Sequence, residues 1–310
     1  MPRPKFGVIY SRLHPFIGPA DFGRRAEASG YDSVWATDGP INELAALDPI
    51  VAIAGLAHGT SRVTIGSCVL LSPLRHPVIL AKEAASLDVL AAGRFVLGIG
   101  VGGSSLSNAA AYQAVGIAAH ERGARCDEGI AIMRKLWSGA RVTHAGRFYR
   151  FEDVIAEPVP RQGPRLPIWT GGDAEAVLRR AARACDGFVP IGSGPARYRE
   201  QWERIGAFAE EFGRDPATIT RAIHLYYCSA RTRREAQAVA ERTLSERYGF
   251  PVRLGDDRRF PFGTRDECSE IVAAYRAAGV EHFVFNPARP LAEVVDEVED
   301  LAATVLRDIH

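Results

Sequence analysis

The residues of this chain that could do chemistry stand singly and beside glycine. Gly171-Gly172 runs directly into Asp173 and an alanine-rich stretch. Two glycines ahead of a helix leave backbone N–H groups free at its positive end, which is a phosphate site by geometry and dipole. The same residues fit a tight turn with Asp173 as the helix N-cap, and both readings stay open. Gly192-Ser193-Gly194 repeats the arrangement after the next apolar run. Gly98-Ile99-Gly100-Val101-Gly102-Gly103 has the spacing G-x-G-x-x-G. No acid follows it where a dinucleotide's ribose would be held. Those glycines therefore read as a close backbone approach to a planar ligand, or as room for a strand in a narrow barrel.

Titratable candidates are few. Asp38 closes an apolar run beside Gly39 and Pro40, where a carboxylate can meet a cleft or cap a following segment. His14 follows the first apolar run, where a neutral imidazole could exchange a proton. His224 lies inside a strand-like run, and period two does not say which face it takes. Cys68, Cys126, Cys185, Cys228 and Cys268 are far apart, with no C-x-x-C pair, so neither a zinc site nor a disulfide framework is expected. Reduced thiols in a cytoplasmic protein fit that spacing. The sequence has no G-x-S-x-G, H-E-x-x-H or G-x-x-x-x-G-K-[ST]. A glycine-lined mouth with phosphate cradles and few charged groups suits a cofactor that brings its own reactivity.

The elements that must position these residues alternate. Eight apolar or β-branched runs recur at Phe6–Tyr10, Ser33–Ala36, Val63–Leu70, Phe95–Gly100, Pro167–Thr170, Gly187–Ile191, Ile219–Ser229 and His282–Asn286. A segment of helical period follows each one. This is the pattern of right-handed βαβ units, and eight of them predict a (β/α)₈ TIM barrel over a single domain, residues 1–310. The site should then lie at the C-terminal strand ends, which nominates Gly100, Thr170 and Gly192 beside the residues above. Gly102–Ala119 and Tyr248–Phe262 read as inserted loops that could cover it, and Gly146–Phe151 as the centre of a hairpin. Lys+Arg 38 against Asp+Glu 37 leaves a net charge of +1. That balance offers no surplus for nucleic acid or an anionic membrane face. The apolar run at the N-terminus is too short for a membrane span.

Several stretches, taken in order, resemble the bacterial-luciferase-like superfamily of flavin and deazaflavin barrels. They are Gly30-Tyr31-Asp32-Ser33-Val34-Trp35 leading to Asp38, Thr60 to Gly66, Arg75-His76-Pro77, and Gly93-Arg94-Phe95-Val96-Leu97-Gly98-Ile99-Gly100. Glu121-Arg122-Gly123, Gly146-Arg147-Phe148-Tyr149, Pro167-Ile168-Trp169-Thr170-Gly171-Gly172 and Asp186-Gly187 complete the series. Each is modest alone, but the ordered set is specific and covers nearly the whole chain. The spacing of Leu97-Gly98-Ile99-Gly100, Tyr112, Gly116 and Glu121-Arg122-Gly123 is more similar to the branch that uses coenzyme F-420, a deazaflavin, than to the FMN monooxygenases.

The resemblance implies a cytoplasmic oxidoreductase, a homodimer by family habit. It would transfer hydride between the deazaflavin and a small organic substrate, with FMN and oxygen as the alternative. A flavin-binding barrel without turnover is a further one. It also implies a cis peptide between Cys68 and Val69 that supports the cofactor ring, with Asp38, Cys68, Val69, Gly171 and Gly172 in contact with the cofactor. Two positions depart from the family. Gly39 follows Asp38 where a histidine is common, and Gly103 to Asn108 replace a tryptophan and an acid. The acid/base role would then fall to Asp38 itself, to His14 or to His120, or be absent.

Overall fold

The computed structural model describes residues 3–11, 17–39, 46–103, 106–255 and 258–304. Strand β1 (Lys5–Tyr10) leads through α1 (Pro19–Ala28) to β2 (Ser33–Ala36), and α2 (Pro49–Gly59) leads on to β3 (Thr64–Ser67) and β4 (Leu70–Leu71). Helix α3 (Pro77–Leu90), β5 (Phe95–Gly100), α4 (Leu106–Ala114) and α5 (Arg122–Leu136) follow, then an antiparallel hairpin of β6 (Val142–Ala145) and β7 (Arg150–Val154). The second half runs β8 (Ile168–Thr170), α6 (Glu175–Ala184), β9 (Gly187–Phe188), α7 (Pro195–Glu211) and β10 (Thr220–Ser229). It ends with α8 (Arg233–Tyr248), β11 (Phe262–Gly263), α9 (Arg265–Ala277), β12 (His282–Pro287) and α10 (Val294–Ala303).

Strands β1, β2, β3, β5, β8, β9, β10 and β12 pair in parallel in that order. The ring closes where β12 pairs with β1, Phe6 opposite Phe283. The chain is therefore the expected (β/α)₈ barrel. The strands are buried on both faces, so they read as continuous apolar runs. Their outward residues pack against the helices in one large core, Phe6, Phe95, Phe188 and Phe285 among them.

A second, smaller core fills the barrel, with Ile9, Trp35, Val96, Trp169 and Val284 pointing inward. Trp35 and Trp169 lie with ring centroids 4.9 Å apart and need glycine around them. A Cβ on Gly66 would fall 2.5 Å from Trp35 Cζ3, and one on Gly187 would fall 2.5 Å from Trp169 Cδ1. Neither distance leaves room for a side chain.

Two elements differ from the sequence reading. The run Val63–Leu70 is interrupted, because the Cys68–Val69 peptide is cis and separates β3 from β4. The stretch Gly102–Ala119 carries helix α4, for which Ala109, Ala110 and Ala111 are strong helix formers. No helix among the described residues is long and apolar enough to cross a membrane.

Candidate active site

At the C-terminal ends of the strands the barrel opens into a cavity of about 410 Å³. Three segments meet there. Cys68 and Val69, on either side of the cis peptide, form one wall. Gly100 to Gly103, beyond β5, form the second, and a Cβ on Gly100 would fall 2.8 Å from Val69 Cγ2. Gly98, one layer deeper, has no room because a Cβ there would overlap the Ser67 carbonyl. Of the two readings of this glycine run, strand fit accounts for Gly98. Gly100 both clears Val69 and lines the cavity.

The third segment is Gly171-Gly172-Asp173-Ala174 at the start of α6. Gly171 lies against the backbone just past β9, since a Cβ would overlap the Val189 carbonyl. Gly172 has φ +140°, a value L side chains rarely adopt. The N-cap of α6 is Ala174, and no side chain caps it. Asp173 is not the cap expected of a plain turn, because its carboxylate accepts from Gln201 Nε2 at 2.7 Å and pairs with Arg197 at 3.5 Å. The first-turn N–H groups of α6 are thus left without a side-chain acceptor, at the positive end of a ten-residue helix. Arg122 shares this cavity and donates to the Gly103 carbonyl at 3.1 Å.

The second glycine cradle is built differently. The Gly194 N–H donates to Tyr275 Oη at 2.8 Å, Pro195 opens α7, and Gly192 packs against the Phe260 ring. None of Gly192, Ser193 and Gly194 lines the cavity, although Ile191 does. Thr170 alternates with the inward Trp169, so its buried side chain faces the helix layer, and its carbonyl accepts from Val189 N at 2.8 Å.

Asp38 follows β2 two residues past its end, with a side chain only 1% exposed and fully engaged. It accepts from Arg75 Nη1 at 2.8 Å, Leu71 N at 3.0 Å and Gly39 N at 2.8 Å. Arg75 also reaches Asp48 Oδ2 at 2.7 Å, and Asp48 caps α2 through Ile50 N. Asp38 therefore fastens the segment just after the cis peptide and is not among the side chains that line the cavity. His120 is exposed on the turn before α5 and is also away from the lining. His14 lies outside the described residues.

The residue that sequence reading did not place is His224. On β10 it faces inward, is 3% exposed and lines the cavity beside Ile191 and Val189. Its Nε2 has no hydrogen-bond partner. Burial, and then the charge of Arg247, push its pKa down to about 3, so the ring is neutral. Burial likewise pushes the Cys68 thiol up to about 12, which keeps that wall uncharged. A wider hollow of about 730 Å³ lies between α5 and α6, but its Asp186 binds Arg134 and the first N–H of β8. It sits at the opposite end of the strands and lacks the glycine walls.

The luciferase-like monooxygenase family model matches residues 18–261. The chain belongs to that family. It is 30% identical over 296 residues, 86% of each chain, to an F420-dependent glucose-6-phosphate dehydrogenase of Kineococcus radiotolerans. Among solved structures it superposes on the coenzyme F420-dependent tetrahydromethanopterin reductase of Methanopyrus kandleri with TM-score 0.79, 18% identity and full coverage of both chains. It superposes equally completely on the FMN-bound type II Baeyer-Villiger monooxygenase component of Pseudomonas putida, with TM-score 0.76, 21% identity and 99% of each chain. Membership thus agrees with the resemblance carried by the ordered motifs. The shared barrel serves deazaflavin and FMN proteins alike, so the fold by itself does not choose a cofactor.

Proposed function

We propose that this luciferase-like chain is an oxidoreductase that binds a deazaflavin of the coenzyme F420 type and passes hydride between it and a small organic substrate. The observation that carries this reading is the uncapped start of α6 behind Gly171-Gly172, opening on the same cavity as the Cys68–Val69 cis peptide. Bare N–H groups at a helix N-terminus suit the cofactor's phosphate. Arg122, with no carboxylate partner among the described residues, adds a positive charge on the same lip. The uncharged walls at Cys68, Val69, Gly100 and Val101 suit a planar ring. When bound, the deazaflavin supplies two-electron chemistry at its ring carbon C5.

The residues of the chain then hold and shield. Asp38 acts through Leu71 and Arg75, keeping the wall after β3 in place. Thr170 and Gly192 act through the backbone, setting the exits of β8 and β9. His120, exposed on the turn before α5, and His14, outside the described residues, stay the candidates for proton exchange. The F420-dependent relative supports deazaflavin over FMN. The five free cysteines fit the reducing cytoplasm.

Two copies associate in this reading, through α2 and α3. These helices pack together yet leave Val51 61%, Ile79 54% and Leu90 63% exposed. Light scattering on the purified chain should report a dimer.

Fluorescence quenching tests the cofactor. The deazaflavin should bind at micromolar concentration or below, and FMN more weakly. Tighter FMN binding with oxygen-dependent turnover would replace this reading with the monooxygenase one. Deazaflavin binding with no turnover on alcohols, aldehydes or enones would favour a binding barrel.

A further inference from the structure

Apart from the cofactor's anionic end, the cavity offers the substrate one polar side chain, and its surroundings are apolar. His224 is 3% exposed, and its Nε2 is unpartnered. A buried polar atom without a partner is costly, so such atoms in folded proteins usually meet a ligand or a water. The wall around it is aliphatic and aromatic. Val69, Val189 and Ile191 line the cavity with it, Ile191 being 54% exposed. The Tyr226 ring stands 5.3 Å from the imidazole, with Phe260 edge-on to Tyr226 at 5.4 Å. The nearby cation Arg247 is 3% exposed and donates to Asn286 Oδ1 at 3.1 Å and the Pro287 carbonyl at 3.0 Å. Among the described lining residues the only cation is Arg122, on the lip with α6.

We propose that His224 Nε2 is the hydrogen-bond partner of the substrate's oxygen, and that the substrate is an uncharged alcohol or carbonyl compound with an aliphatic or aromatic body. This rests on the deazaflavin reading and deepens it. A neutral imidazole nitrogen accepts from a hydroxyl in one tautomer and donates to a carbonyl in the other. One side chain can therefore hold both members of an alcohol–carbonyl pair without a charge change at the protein. A phosphorylated sugar has no such match. Its dianion would meet a neutral ring and valine side chains, and desolvating it there without a paired cation is costly.

The test uses the full chain labelled with ¹⁵N-histidine, with oxidised deazaflavin bound for the ketone and reduced deazaflavin bound for the alcohol and the sugar phosphate, so that no pair can react. Cyclohexanone, cyclohexanol and glucose 6-phosphate are added in turn. The His224 ring resonances, assigned by their loss in His224→Gln, should move with the ketone and the alcohol, to different limiting shifts, and stay still with the sugar phosphate. In His224→Phe the ketone's affinity should fall about tenfold, the scale of one lost hydrogen bond in a buried site. In the same variant the deazaflavin's affinity should change by less. His224→Gln, which still offers a polar side-chain atom, should recover part of the ketone's affinity.

The proposal is overturned if glucose 6-phosphate binds more tightly than the ketone. It is equally overturned if the wild-type His224 signals ignore the ketone while ketone binding is measurable by calorimetry, a result that does not depend on any variant folding. Failure of the wild-type chain to bind deazaflavin at all is a different outcome. It removes the parent reading, and it is seen before any substrate is added.

Discussion

Two histidines point into this barrel from neighbouring strands, and they are treated in opposite ways. His282, on β12, and His224, on β10, are each 3% exposed, and burial is the largest cause pushing each pKa down to about 3. His282 shares a hydrogen with Ser33 Oγ at 2.7 Å, and Trp35 Nε1–H donates to the same oxygen. Its ring stands edge-on to Trp35 at 5.8 Å and to Trp169 at 5.2 Å. His224, towards the C-terminal end of the strands, has an Nε2 with no partner and lines the cavity. The same side chain, equally buried, is satisfied where the barrel is plugged and unsatisfied where it opens. The lower layer is built for stability and the upper layer for a guest, as expected of a fold whose chemistry lies at one end.

The strongest way to break that contrast is to remove the plug. Trp35→Ala takes one of the two tryptophans out of the lower layer, next to glycines that cannot fill the hole. It should cost about 3–5 kcal/mol of stability by denaturant unfolding, in the range for buried aromatic truncations. A loss under about 1 kcal/mol would mean the plug is not what closes the barrel. Asp38→Ala should come next. It leaves Arg75 and the Leu71 N–H without their buried acceptor, and breaking such a pair costs about 3 kcal/mol or more. If Asp38 instead serves mainly as a proton carrier, stability will hold and only turnover will fall. Gly171→Ala is milder, at about 1–3 kcal/mol, because its Cβ must push the Val189 carbonyl aside. It should weaken deazaflavin binding more than any other single methyl added at the upper rim, and unchanged quenching would argue against the cradle.

The sequence alone made the barrel legible because every strand is buried on both faces, so each appears as an apolar run followed by helical period. It also located the glycine cradle and Asp38, since strand ends and helix starts carry local signals. What those residues bond to was not legible. Arg75 is 37 positions from Asp38, and Gln201 is 28 from Asp173, so neither the buried ion pair nor the uncapped start of α6 has a local signature. The apolar run through Val63–Leu70 gave no sign of its interruption. The cis bond at Cys68–Val69 came from family resemblance, because peptide geometry leaves no trace in hydropathy. Helix α4 was hidden by a glycine- and serine-rich approach that reads as loop. His224 was undecided because period two gives the alternation of a strand but not its phase, and the phase is set by Tyr227 packing outward on Phe285.

The smallest predicted effect follows from the histidine pair itself. Both rings are held neutral in the folded barrel, with pKa about 3, whereas an unfolded histidine titrates near 6.5. Above that value neither state takes up a proton and the two groups are silent. As pH falls below about 6.5 the unfolded chain binds protons that the folded chain refuses, so stability declines, and each histidine adds a slope of about 1.4 kcal/mol per pH unit until its folded pKa is reached. Urea titrations between roughly pH 6 and 5, above most carboxylate titration, should show that decline. His282→Asn should lower overall stability by breaking the bond to Ser33 while removing one histidine's share of the slope. His224→Phe should remove the same share of the slope with little loss of stability at pH 7, since no hydrogen bond to Nε2 is given up. Bound ketone should separate the two sites further, because a carbonyl oxygen that accepts from Nε2–H favours the protonated ring, which lessens His224's share of the slope and leaves His282 as it was. Equal stability losses at pH 7 for the two variants would remove the distinction between the plugged end and the open one.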